Sequence, residues 1–100
     1  MARMCGGIGE EMKPIEKVHK MIAELRDEIE QKTVKNYAEF EALKYASQLV
    51  AGTNYFIKIK VGPSECIHVR LYEALPHTHE PVKLSSVVEG KKIEDAIGYF

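Results

Sequence analysis

The chain has 100 residues, 45% of them hydrophobic and 29% charged, with a formal net charge of −1. Such a chain forms one small globular domain, residues 1–100, whose core removes roughly 60–65% of the unfolded surface from water. No apolar run approaches the roughly 20 residues of a membrane span, and the mixed signs leave no basic stripe for phosphate, so neither a membrane nor a nucleic-acid partner is expected.

At the N-terminus, Met1-Ala2-Arg3-Met4-Cys5-Gly6-Gly7 contains one basic residue and lacks the apolar stretch of roughly 7–15 residues that marks a secretory signal, so a cytoplasmic localisation is expected. The next regular feature is a helix. Ile15, Val18, Ile22, Leu25 and Ile29 recur at steps of three and four, which puts them on one stripe. Pro14 suits a first helical turn because its missing N–H would be unpaired there, and Glu16 lies near the positive end of the dipole. Glu16, Lys20, Asp27 and Glu30 form the opposite, solvated face.

Four strand-like runs follow. The first, Tyr37 to Leu49, alternates imperfectly and implies a bulge or bend. In the second, Thr53 to Val61, residues Tyr55, Ile57, Ile59 and Val61 face one side, with Asn54, Phe56, Lys58 and Lys60 on a mostly wet side. Gly62-Pro63-Ser64 signals a turn, after which Ile67, Val69 and Leu71 resume the alternation, so these two runs form an antiparallel hairpin. The connection Pro76 to Pro81 leads to a fourth run, Val82 to Val88, and Gly90-Lys91-Lys92 interrupts the pattern before the tail Tyr99-Phe100. The helix has one apolar stripe to bury and only strands to bury it against, giving an α+β class with the helix packed on an antiparallel sheet.

Gln48-Leu49-Val50-Ala51-Gly52 is an uncharged segment at the turn between the first two runs. Hydrophobic residues ending in glycine commonly mark only a bulge or tight bend. Together with Thr53-Asn54-Tyr55-Phe56, however, the segment resembles the Gln-x-Val-x-Gly hairpin signature of the cystatin superfamily. With Gly6-Gly7 before the helix, Leu75-Pro76 in a later connection and an aromatic C-terminus, the whole chain is similar to the stefins, inhibitors of papain-like cysteine proteases. Secreted cystatins carry two disulfides in their second half, whereas Cys66 is alone there, and both Cys5 and Cys66 are read as free thiols.

The resemblance implies a cystatin-like fold: one long α-helix on a curved antiparallel sheet of four to five strands, with the fifth strand between Ile8 and Lys13. It also implies a reversible, tight-binding competitive inhibitor of cathepsin-type proteases, without enzymatic activity or cofactor. Three elements would enter the protease cleft: the trunk Met4, Cys5, Gly6 and Gly7; the hairpin Gln48, Leu49, Val50, Ala51 and Gly52; and a second loop with Leu75, Pro76 and His77. Two departures from the stefin pattern stand out. Leu49 replaces the usual valine, and the trunk has two additional residues before Gly6. A monomer is the expected active form, with a domain-swapped dimer opening at Gly52 as its inactive by-product.

Three other functions compete: assembly by exchange of halves around Gly52 with no protease target, catalysis, and metal binding. Cys66 and His68 share a strand face but stand roughly 7 Å apart along it, long for a nucleophile and its base. His77-Thr78-His79 could contribute to a metal site with Cys66 or His68, although solvated histidines at a loop tip are the commoner arrangement.

Overall fold

A computed structural model describes residues 8–100. In chain order it contains helix α1 (Glu16–Thr33), strands β1 (Glu41–Val50), β2 (Gly52–Lys60) and β3 (Cys66–Glu73), a 3-10 turn (Pro76–Thr78) and strand β4 (Lys83–Lys91). The strands form one antiparallel sheet in the order β1-β2-β3-β4, each beside its neighbour in sequence.

The apolar stripe of α1 holds as far as Val18, Met21, Ile22 and Ile29, which are buried, with Leu25 partly buried against the same core. Ile15 departs from the expectation. It is the N-cap, extended in backbone, and its side chain is exposed. Pro14 accordingly lies just outside the helix and not in its first turn. At the other end Val34 takes the left-handed conformation, φ 58°, and sends its N–H to the Gln31 carbonyl. Glycine is usual at such a position because a Cβ crowds the backbone there.

Beneath the helix lie Ala42, Tyr45, Tyr55, Ile57, Ile59, Ile67, Val69 and Leu71, the inward set of three strands. The register Tyr45–Ile57, Ile57–Val69 and Ile59–Ile67 places these side chains in rows across the sheet, as strict alternation requires. The irregularity expected in β1 falls between Ala42 and Lys44, and that strand begins at Glu41 rather than Tyr37. β4 runs through Gly90, whose φ is 72°, to Lys91, so the glycine bends this strand without ending it.

The outer face of the sheet is not wet. Phe56, Lys58, Cys66 and His68 are all buried, because the chain after β4 folds back across them. Phe56 meets Tyr99 and Phe100 at ring-centroid distances of 5.7 and 5.5 Å. Lys58 Nζ donates to the Ile93 carbonyl at 2.5 Å, and Arg70 donates to the Phe100 carbonyl at 2.6 Å. A lysine is tolerated there because its apolar stem packs while its ammonium group keeps an acceptor.

Among the described residues, the stretch Ile8 to Lys13 makes one β-bridge, Met12 with Tyr45, and a bond from Gly9 N–H to the Ser47 carbonyl at 2.8 Å. The implied fifth strand is thus reduced to a bridge running antiparallel beside β1. Among those residues no helix is long and apolar enough to cross a membrane.

Candidate functional site

The topology brings two of the three expected elements to one end of the sheet. β1 ends at Val50, β2 begins at Gly52 and β3 ends at Glu73, with Thr53 paired to Glu73. Both the tip at Ala51 and the connection starting after Glu73 therefore lie there. The bridge at Met12 and the bond at Gly9 carry the N-terminal segment along β1 toward this same end. Met4, Cys5, Gly6 and Gly7 lie outside the described residues.

The first hairpin is unusually tight, with Val50 paired to Gly52 across the single residue Ala51. Gly52 has φ 114°, and a Cβ built on it would stand 2.5 Å from the Glu73 carbonyl oxygen and 2.7 Å from the Tyr72 hydroxyl. Only glycine fits this backbone and this close approach. The turn in turn exposes Leu49, at 72% of its surface, and Val50, at 43%. Large aliphatic side chains so exposed gain little for the fold, and covering them would yield roughly 25 cal/mol per Å².

Gln48 has a different situation from its neighbours. It is buried, it pairs across the strands with Asn54, and its Oε1 accepts a bond from Asn54 Nδ2 at 2.9 Å. Asn54 in turn pairs with Tyr72 on β3. Gln48, Asn54 and Tyr72 thus form one rung on the outer face beneath the tip, and Tyr72 donates its hydroxyl to the Ala51 carbonyl. The motif pointed to Gln48 and Gly52. Tyr72 lies outside that motif, although its even spacing from His68 and Arg70 places it on the same face.

In the second loop Leu75 is exposed, and it leads into the 3-10 turn with Pro76 at its start and His77 exposed. Thr78 closes this turn, donating both its N–H, at 3.0 Å, and its hydroxyl, at 2.8 Å, to the Leu75 carbonyl. Behind the loops, Lys17 of α1 pairs with Glu73 at 2.8 Å, and Tyr55 donates its hydroxyl to the same carboxylate at 3.2 Å. The bond to Glu73 holds the Lys17 ammonium pKa above its ordinary value, while burial raises that of the Tyr55 phenol. The helix is thereby fastened to the end of β3 that supplies the second loop.

The residues of the rival functions are placed otherwise. Cys66 is a free thiol, and it lies with His68 under the tail on the outer face, away from the loops. Burial pushes the Cys66 thiol up; burial and the neighbouring Lys58 and Lys91 push the His68 imidazole down to about 4. An activated thiolate needs the reverse of both. Among the described residues no three His, Cys, Asp or Glu side chains gather as metal ligands.

A helix is thus held on an antiparallel sheet, and Leu49, Val50 and Leu75 are exposed in two connections at one end of it. A model of the cystatin domain matches residues 12–94. The chain is 40% identical over 100 residues to Cystatin-B of Oplegnathus fasciatus, each chain being covered in full. It is 37% identical over 97 residues to Cystatin-B of Bos taurus, covering 97% of this chain and 99% of that one. With Leukocyte cysteine proteinase inhibitor 1 of Sus scrofa it shares 36% identity over 97 residues, covering 97% and 94% of the two chains. The chain belongs to the cystatin family, as its resemblance to the stefins implied.

Proposed function

We propose that this protein is a reversible, tight-binding inhibitor of papain-like cysteine proteases, cathepsins among them, and that it acts by occupying the active-site cleft. The observation that carries this reading is the tight tip at Leu49, Val50 and Ala51, whose aliphatic side chains are exposed on a turn whose backbone only glycine at position 52 can adopt. The pig relative named as a cysteine proteinase inhibitor supports it. Leu75, Pro76 and His77 supply a second contact and the trunk Met4 to Gly7 a third; together they suit an interface of about 800 Å² per partner. Gln48 braces the hairpin from within through Asn54.

Inhibition follows from what the wedge lacks. It covers the catalytic thiolate with side chains and a closed turn and offers no extended peptide bond for attack. The chain itself performs no catalysis and works as a monomer in the cytoplasm, where it would intercept proteases that escape their compartment. Exchange of halves between two chains by opening at Gly52 would bury the first tip and abolish inhibition.

Titration of papain with the purified chain, followed by hydrolysis of a fluorogenic peptide, tests the reading. Stoichiometric, competitive and reversible loss of activity is expected. Full activity at micromolar inhibitor would refute it.

A further inference from the structure

Leu49, Val50 and Ala51 have no polar side-chain atom, so the shape of the tip can be fixed only through its backbone. The ladder closes at Val50 and Gly52, leaving the Ala51 peptide at the apex. Tyr72 reaches this apex from β3 and donates its hydroxyl to the Ala51 carbonyl, while its ring edge lies 3.0 Å from where a Gly52 Cβ would be. The same strand continues two residues after Tyr72 into the second loop, so one side chain joins the backbones of both contact elements.

We infer that Tyr72 is the positioning residue of the first tip. Its hydroxyl holds the Ala51 peptide in the shape that a protease cleft accepts, without itself touching the protease. The inference rests on the reading of this edge as the protease-contacting one. It differs from a contact role in a measurable way. A lost contact speeds dissociation, whereas a tip that visits unsuitable shapes lowers the competent fraction and slows association.

The test is Tyr72→Phe in the full chain, which keeps the ring and removes only the donor. Stopped-flow association with papain should slow by about two- to tenfold, the range set by one hydrogen bond, with dissociation changed less than about twofold. A second readout needs no protease: by NMR the Ala51 carbonyl carbon should shift and the Gly52 amide should exchange faster, while Ile57 and Val69 stay protected. Unchanged association, or a loss confined to dissociation, would overturn the positioning role, as would an unmoved Ala51 carbonyl. If the unsubstituted chain fails to inhibit papain, the protease reading falls, and the NMR arm still decides whether Tyr72 fixes the tip.

Discussion

Of the three connections between consecutive strands of the sheet, the first two are short turns, and they differ in composition and in backbone demands. The turn from β2 to β3 uses Gly62-Pro63-Ser64, with Val61 N–H closing on the Glu65 carbonyl at 3.0 Å. Its residues are polar or pre-shaped for a turn, and a Cβ at Gly62 would meet only the Glu65 side chain at an ordinary 3.6 Å. The turn from β1 to β2 instead exposes Leu49 and Val50 and depends on a glycine at φ 114° against the backbone of β3. The chain can build a plain polar turn and does so at one end. The apolar turn at the other end, which only a glycine at position 52 can close, is the one the proposed function puts to use.

The largest effect is expected away from both turns and serves as the control on this comparison. His68 is buried under Phe100 and faces Lys58 and Lys91, with Asp95 and Glu11 opposing them more weakly. Its value falls from 6.5 in the unfolded chain to about 4 in the fold. Between those two values the unfolded state binds more protons, so stability is full above pH 6.5 and declines as the pH falls to about 4. The loss should approach about 3 kcal/mol. Urea unfolding at pH 7.5 and pH 4 measures it, and His68→Gln should flatten the dependence. A pH dependence equal in the two proteins would contradict the assignment.

Next in size is the contrast in binding. Val50→Asp should weaken papain inhibition by about 2 kcal/mol or more, because the cleft would bury an unpaired charge. Ser64→Asp, at the polar turn, should change it by less than about 0.5 kcal/mol. Comparable losses at the two turns would break the distinction between them.

The contrast in folding is smaller. Gly52→Ala forces a Cβ into the Glu73 carbonyl at positive φ and should cost about 1–3 kcal/mol of stability, whereas Gly62→Ala should cost less than about 0.5. Thermal unfolding of both variants checks the ranking. Equal cost would mean that the first turn is no more constrained than the second.

What could be read from the sequence follows from which interactions have a period. The helix stripe and the inward rows of β2 and β3 repeat at steps set by backbone geometry, and they were legible at Val18, Ile22, Ile57 and Val69. The outer face is covered where alternation alone implies a wet surface, because its cover is a distant, aperiodic tail. Nothing in the alternation of Phe56, Lys58 and Lys60 announces that Tyr99 and Phe100 will return over Phe56. The bridge at Met12 was equally hidden, since Gly9, Glu10 and Glu11 carry no strand pattern. At the candidate site, the motif supplied Gln48 and Gly52, but the bond from Tyr72 to Ala51 depends on strand register, which no short motif encodes.

The central claim is that the apolar end of the sheet, and not the polar end, meets the protease. Backbone amide NMR of the labelled chain, with papain added whose catalytic thiol has been blocked by a small group, tests it residue by residue. The account predicts shifts and broadening concentrated at Leu49 to Gly52 and at Leu75 and His77, with Gly62 to Glu65 unmoved. Perturbations centred on Gly62 to Glu65, or spread evenly over both ends, would contradict it.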